Sequence, residues 1–172
     1  MVRQRNGLLY MDHFARPNDG LARAAAGGTM HRNFQGYTER RTTVLMGLGV
    51  SAISETPDCY HQNEKIITVY ERRVLQGEIP TLRGHLLSED DRRRREKILS
   101  LMTAFHVALD ENELRDAREC LAPLIQDNLI AVDRGELRIL PGGRAFLRNA
   151  ATFFDLHLRS SQPKGPTYSR AV

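Results

Sequence analysis

Two glycines and an alanine, Gly47, Gly49 and Ala52, follow the β-branched run "TTVLM" at the spacing G-x-G-x-x-A. That pattern lets backbone amides approach a phosphate where a strand turns into a helix, the chemistry of dinucleotide binding. Such a loop also needs a second parallel strand ending in an acidic residue about twenty positions on. Glu71 stands near that place, but it lies inside a helical pattern, and the sequence predicts no second strand there. The glycine spacing then reads as a structural turn, or as a close approach of backbone to another ligand.

Other reactive side chains are sparse. Six histidines (His13, His31, His61, His85, His106, His157) are scattered, with no pair at ligand spacing on one helix. His13 differs in position, since "MDHFARP" puts it at the end of a predicted strand, where α/β proteins place working side chains. The two cysteines, Cys59 and Cys120, lack the close spacing of zinc or iron-sulfur ligands and form no disulfide framework. Reduced thiols, no apolar run of membrane-spanning length and no signal-peptide core predict a soluble, cytoplasmic chain. No catalytic residue and no metal ligand set emerges. The chain of 172 residues, 41% hydrophobic, is long enough for one ordinary core or two small ones.

The elements that would position these residues fall into two parts. In the first, "GLLYMDHFA" reads as a strand, "PNDGLARAAAGG" as a short helix stopped by glycine, and "HRNFQGYTERR" as an irregular loop. A helix over 60–77 follows, with Ile66, Val69, Tyr70 and Arg73 on one side and Gly77 at its end. In the second, Ser88 caps an amphipathic helix over 88–108 with Ile98, Leu101, Met102 and Phe105 inward. A helix over 112–127 buries Leu114, Ala117, Leu121, Leu124 and Ile125. "NLIAVDRGELRIL" then makes a hairpin turning at Arg134-Gly135, and "PGG" opens a helix over 142–159 that buries Phe146, Leu147, Ala150, Phe153 and Phe154. Helix, helix, hairpin, helix outlines a winged-helix-like domain.

That outline, the run Arg92 to Arg95 and a net charge of +4 raise nucleic acid as a partner. The helix before the wing argues against it. Glu111, Glu113, Asp116, Glu119 and Asp127 face only Arg115 and Arg118, five minus two, a net charge of −3 that phosphates repel. The arginine run reads instead as a solvated face paired with Glu89, Asp90 and Glu96.

"MDHFARPNDGLARA", "MHRNFQGYT", "GLGVSAIS" and the terminal "YSRAV", in that order, together resemble the C-terminal part of the oxygen-independent coproporphyrinogen III oxidases (dehydrogenases). "RRREKILSLMTAF" and the stretch from "LAPLIQDNL" to "NAATFFD" are similar to the same family's C-terminal domain. The loop Phe34-Gln35-Gly36-Tyr37 lacks the Tyr-Trp pair of the related haem chaperones. The resemblance implies an α+β architecture: the C-terminal remnant of a radical-SAM partial (β/α) barrel over 1–80, a mainly helical winged-helix-like domain with one β-hairpin over 81–160, and a tail over 161–172. It implies oxidative decarboxylation of coproporphyrinogen III to protoporphyrinogen IX in haem biosynthesis as the complete enzyme's reaction, and a tetrapyrrole substrate. It also implies a second S-adenosylmethionine molecule, contacted here by Gln35 and Ile53. The family's C-x-x-x-C-x-x-C loop, which holds a 4Fe-4S cluster, has no counterpart in this chain, so the resemblance implies a chain inert alone that depends on the missing catalytic barrel. A non-catalytic module binding a tetrapyrrole or a protein partner is the rival expectation, with a winged-helix regulator behind it.

Overall fold

The computed structural model describes residues 7–10 and 13–160. The chain mixes helix and strand and divides into two compact units. The first is built from residues 15–96. The second is built, among the described residues, from 97–160 together with 8–10, 13 and 14. The division falls inside one helix rather than in a linker.

β1 (Gly7–Tyr10) pairs with β2 (His13–Ala15), and the helices of the first unit begin with α1 (Gly20–Ala26). Asp19 caps α1 by accepting from the amide of Leu21 at 2.9 Å. The stretch expected to be an irregular loop is instead a tight hairpin, β3 (His31–Asn33) and β4 (Gly36–Thr38), with Phe34 and Gln35 at its tip. A two-residue turn with glycine behind it satisfies the strand amides locally, a pairing hidden by the polar composition. "TTVLM" forms no strand beyond the single bridge Leu45–Glu55.

After the glycine turn comes a strand rather than a helix. β5 (Ile53–Glu55), β6 (Cys59–Asn63) and β7 (Thr81–Leu86) form an antiparallel sheet in the order β5-β6-β7. The expected helix over 60–77 is therefore shorter: α2 (Ile67–Leu75), with Val69, Tyr70 and Arg73 half-buried and Ile66 exposed just before it. In Cys59–Asn63 the period is two, and strand pairing on both sides overrides the helical reading. A second strand thus does follow the glycine turn, but antiparallel and with no crossover helix, so no dinucleotide βαβ unit is present here.

α3 (Glu89–Ala104) begins at Ser88, whose hydroxyl accepts from the amide of Asp91 at 3.1 Å. The helix stops earlier than the expected 108, because Phe105 takes φ +64° and the chain continues as β8 (His106–Ala108). α4 (Glu111–Cys120) starts with a reciprocal capping box between Asp110 and Glu113. The expected single helix over 112–127 breaks at Leu121, and Pro123 sits in the first turn of α5 (Ala122–Gln126). β9 (Ile130–Asp133) and β10 (Glu136–Ile139) make the expected hairpin, turning at Arg134 and Gly135 with φ +50° and +76°. β10 lies between β8 and β9.

The last expected helix, 142–159, is four short pieces: a 3-10 segment over 141–146, α6 (Leu147–Ala151), a 3-10 turn over 152–154, and α7 (Leu156–Ser160). Leu147, Ala150, Phe153 and Phe154 are buried as expected, whereas Phe146 is 42% exposed. The tail with "YSRAV" lies outside the described residues. No helix among the described residues is long and apolar enough to cross a membrane.

Candidate functional site

The glycine turn is held by the protein itself. The amide of Gly47 donates to Ser54 Oγ at 3.0 Å, that of Gly49 to the Tyr70 hydroxyl at 3.2 Å, and that of Ser51 to the Glu64 carbonyl at 2.7 Å. Buried Asn63 uses its side-chain amide to donate to the carbonyls of Gly47 (3.2 Å) and Gly49 (3.0 Å). Glycine is required twice: a Cβ on residue 47 would come within 2.6 Å of the Ile53 carbonyl oxygen, and Gly49 has φ +102°. Amides already spent on Ser54, Tyr70 and Glu64 have no hydrogen left for a pyrophosphate. The turn is a scaffold, and it fixes the start of β5.

What it positions is a groove on one face of the β5–β6–β7 sheet. Ile53 pairs with Gln62, Glu55 and His85 both pair with Tyr60, and Gln62 pairs with Arg83, so the two-residue period puts these six side chains on a common face. Ile53, Tyr60, Gln62, Arg83 and His85, with Phe34 from the β3–β4 tip, line a groove of about 410 Å³. The Phe34 ring meets Tyr60 edge-on, with centroids 5.0 Å apart and planes at 85°. The Arg95 guanidinium lies 5.3 Å from the Tyr60 ring centre and pairs with the carboxylate of buried Glu55. Burial raises the Tyr60 phenol above its usual pKa, against the opposing pull of Arg95, so the ring stays neutral at physiological pH. No carboxylate lines the groove among the described residues.

Of the two residues carried over by resemblance, Ile53 is half-buried and lines the groove. Gln35 is exposed at the hairpin tip, where its backbone amide donates to Asn33 Oδ1 at 2.8 Å, and its neighbour Phe34 is the residue that reaches the groove. His13 stands in β2, and its side chain is outside the described set. Half-buried Cys59 contacts Thr56 Oγ1 at 3.2 Å, while exposed Cys120 accepts from Arg159 at 3.3 Å.

The sequence reading missed Phe34, Tyr60, Arg83 and Arg95. Recognising Cys59–Asn63 as period two would have put Tyr60 and Gln62 on one face. Arg95 was masked by its run: Arg93 and Arg94 do pair with Asp90, at 2.8 and 2.6 Å, but Arg92 pairs with Asp58 at 3.0 Å and Arg95 with Glu55. Hydrogen bonds from Arg94 and Arg93 hold the Asp90 carboxyl below its ordinary pKa.

No family model matches the sequence. Individual relatives do. The chain is 41% identical over 172 residues to the oxygen-independent coproporphyrinogen III oxidase of Escherichia coli (strain K12), covering 94% of this chain and 37% of that protein. It is 40% identical over 153 residues to that of Paracoccus denitrificans, covering 84% of this chain and 34% of that protein. The solved coproporphyrinogen III oxidase from Escherichia coli, described as a radical SAM enzyme, superposes with a TM-score of 0.80 at 39% identity, covering 88% of this chain and 37% of that one. The chain is homologous to the oxygen-independent coproporphyrinogen III oxidases. It spans little more than a third of the length of these relatives.

Proposed function

We propose that this chain is the C-terminal portion of an oxygen-independent coproporphyrinogen III dehydrogenase, acting in the decarboxylation of coproporphyrinogen III to protoporphyrinogen IX by contributing one wall of a second S-adenosylmethionine site. The observation that carries the reading is identity near 40% across 94% of the chain, in a protein whose Ile53 lines a groove beside the Phe34-Gln35 tip. On this reading residues 1–80 are the last segment of the barrel, 81–160 a winged-helix-like domain and 161–172 a tail. The order α3, β8, α4, α5, β9, β10 supports the second assignment. Nucleic acid is not the partner on this reading, for the acidic α4 would oppose phosphate.

The groove fits the cofactor class. About 410 Å³ lies in the range of small-molecule sites, and an aromatic pair, an aliphatic and an arginine match a ligand with a flat ring and an anionic end. S-adenosylmethionine on a four-iron cluster supplies the radical in such enzymes. The cysteines of this chain do not fit that cluster: two thiols, one bonded to Thr56 and one to Arg159, cannot provide three closely spaced thiolates. On this reading the cluster belongs to the catalytic barrel of such enzymes and not to these residues; a non-catalytic tetrapyrrole-binding module of the same descent is the second reading.

Equilibrium dialysis with labelled S-adenosylmethionine tests this. The chain should bind it, and Ile53→Asp, which puts a charge on the groove wall, should weaken binding at least tenfold, about 1.4 kcal/mol. Binding unchanged by Ile53→Asp would remove the groove from the reading. Coproporphyrin binding without any S-adenosylmethionine binding would select the second one.

A further inference from the structure

Most arginines around the β5–β6–β7 sheet are neutralised. Arg73 pairs with Glu64 and Glu78, Arg92 with Asp58, Arg94 with Asp90 and Arg95 with Glu55. Arg83 is different. Exposed in the groove wall, it donates from Nε to the neutral Gln62 Oε1 at 3.1 Å and pairs with no carboxylate among the described residues. Gln62 is itself fixed, its Nε2 donating to the Ser51 carbonyl at 3.0 Å. The relay from Ser51 through Gln62 orients the guanidinium without cancelling its charge, and the bond through Nε leaves the two terminal nitrogens for a bidentate acceptor.

We propose that Arg83, held by Gln62, is the anionic anchor of the groove and receives a carboxylate from a ligand whose flat body lies against Phe34 and Tyr60. This rests on the proposed function, which offers two sources of the same chemistry: the amino-acid carboxylate of S-adenosylmethionine and a propionate of the tetrapyrrole. The rest of the lining agrees with an anion. The acids beside the lining already have partners, Asp91 facing His85 Nε2 at 3.4 Å and Glu55 bound by Arg95. A planar guanidinium gripping a carboxylate at two points sets the ligand's orientation as well as its affinity.

The experiment measures dissociation constants of the whole chain for two matched pairs: S-adenosylmethionine against its decarboxylated analogue, and coproporphyrin III against its tetramethyl ester. Arg83→Ala should weaken the carboxylate-bearing member of one pair roughly tenfold to a hundredfold and leave its carboxylate-free partner within about twofold. The pair that responds identifies the source. Arg83→Lys, which keeps the charge but not the fork, should lose less, and Gln62→Glu, which supplies an internal carboxylate, should reproduce Arg83→Ala. Both variants are exposed or half-buried at the surface, and an unchanged melting temperature checks that they fold. If Arg83→Ala binds both members of each pair as the unmodified chain does, the anchor is wrong while the proposed function stands. If the unmodified chain binds none of the four, the proposed function and the anchor fall together.

Discussion

The two units differ in what they bury. In the second, Leu101, Ala117, Leu137, Leu147 and Ala150 are wholly buried and Phe154 nearly so, an apolar core closed by α3, α4, α6 and the β8–β10–β9 sheet. In the first, the buried set includes Ser54, Glu55 and Asn63, while Met46, Leu48, Leu75, Ile79 and Leu86 are all more than 75% exposed. Apolar burial stabilises by roughly 25 cal/mol per Å², so the second unit has its own driving force. The first unit buries only Ala24, Met30 and Leu87 among its described apolar residues and is organised around hydrogen bonds and ion pairs, and many of its larger apolar side chains face outward in a way characteristic of surfaces that meet other protein. That contrast agrees with a chain spanning about 37% of the length of its relatives. One unit is complete as a core, and the other presents a face.

The largest effect should come from the closed core. Leu137→Ala, on the central strand β10, should destabilise the second unit by about 2–5 kcal/mol in denaturant titration and leave ligand binding by the groove intact. An equal loss of groove binding would mean that the two regions fold as one cooperative body. Next, Arg95→Ala strands the buried Glu55 carboxylate and removes the cation over Tyr60, with an expected cost of roughly 2–3 kcal/mol to the first unit. Arg95→Ala together with Glu55→Gln should recover part of it. A smaller loss, about 1–2 kcal/mol, should follow Asn63→Ala, which leaves the Gly47 and Gly49 carbonyls without their donor.

How much of this was legible in the sequence differs between the units for the same reason. In the second unit, local signals and tertiary environment agree. Arg134-Gly135 makes the expected turn, and of the residues expected inward Leu101, Ala117, Leu121, Leu147 and Phe154 are buried, while Leu114, Leu124 and Ile125 are half-buried. In the first, strand pairing decides what local preference does not. Cys59–Asn63 continues on its C-terminal side into a helical pattern and becomes a strand only because β5 and β7 flank it. Ile53 could be carried over by resemblance because its motif is local. Tyr60 and Arg83, twenty-three positions apart in sequence, share the groove through antiparallel register, which no single stretch encodes.

His31 gives the comparison a pH dependence. Desolvation and then the nearby Arg41 hold its pKa below the usual histidine value of about 6.5. Between the two values the unfolded chain binds more protons than the folded one, so stability rises with pH there and is lost as pH falls through 6.5 toward the lowered value. Unfolding of the first unit between pH 7 and 5 should show this slope, and His31→Gln should flatten it. A slope that survives His31→Gln would have to come from another group.

The smallest effect tests the outward face itself. Leu75 is 87% exposed at the end of α2, on the same side of the helix as Ile67 and Val74, which are 60% and 45% exposed. A leucine that contributes little to its own unit loses little when replaced, so Leu75→Gln should change stability by no more than about 0.5 kcal/mol, in contrast to Leu137→Ala. It should also lower any tendency of the chain to self-associate at high concentration, since it removes apolar surface from a continuous stripe. Measured together by denaturant titration and sedimentation, the two leucines separate burial within a unit from exposure on its face. A loss of 2 kcal/mol or more at Leu75 would show that α2 already packs against something in the free chain, and the first unit would then be as closed as the second.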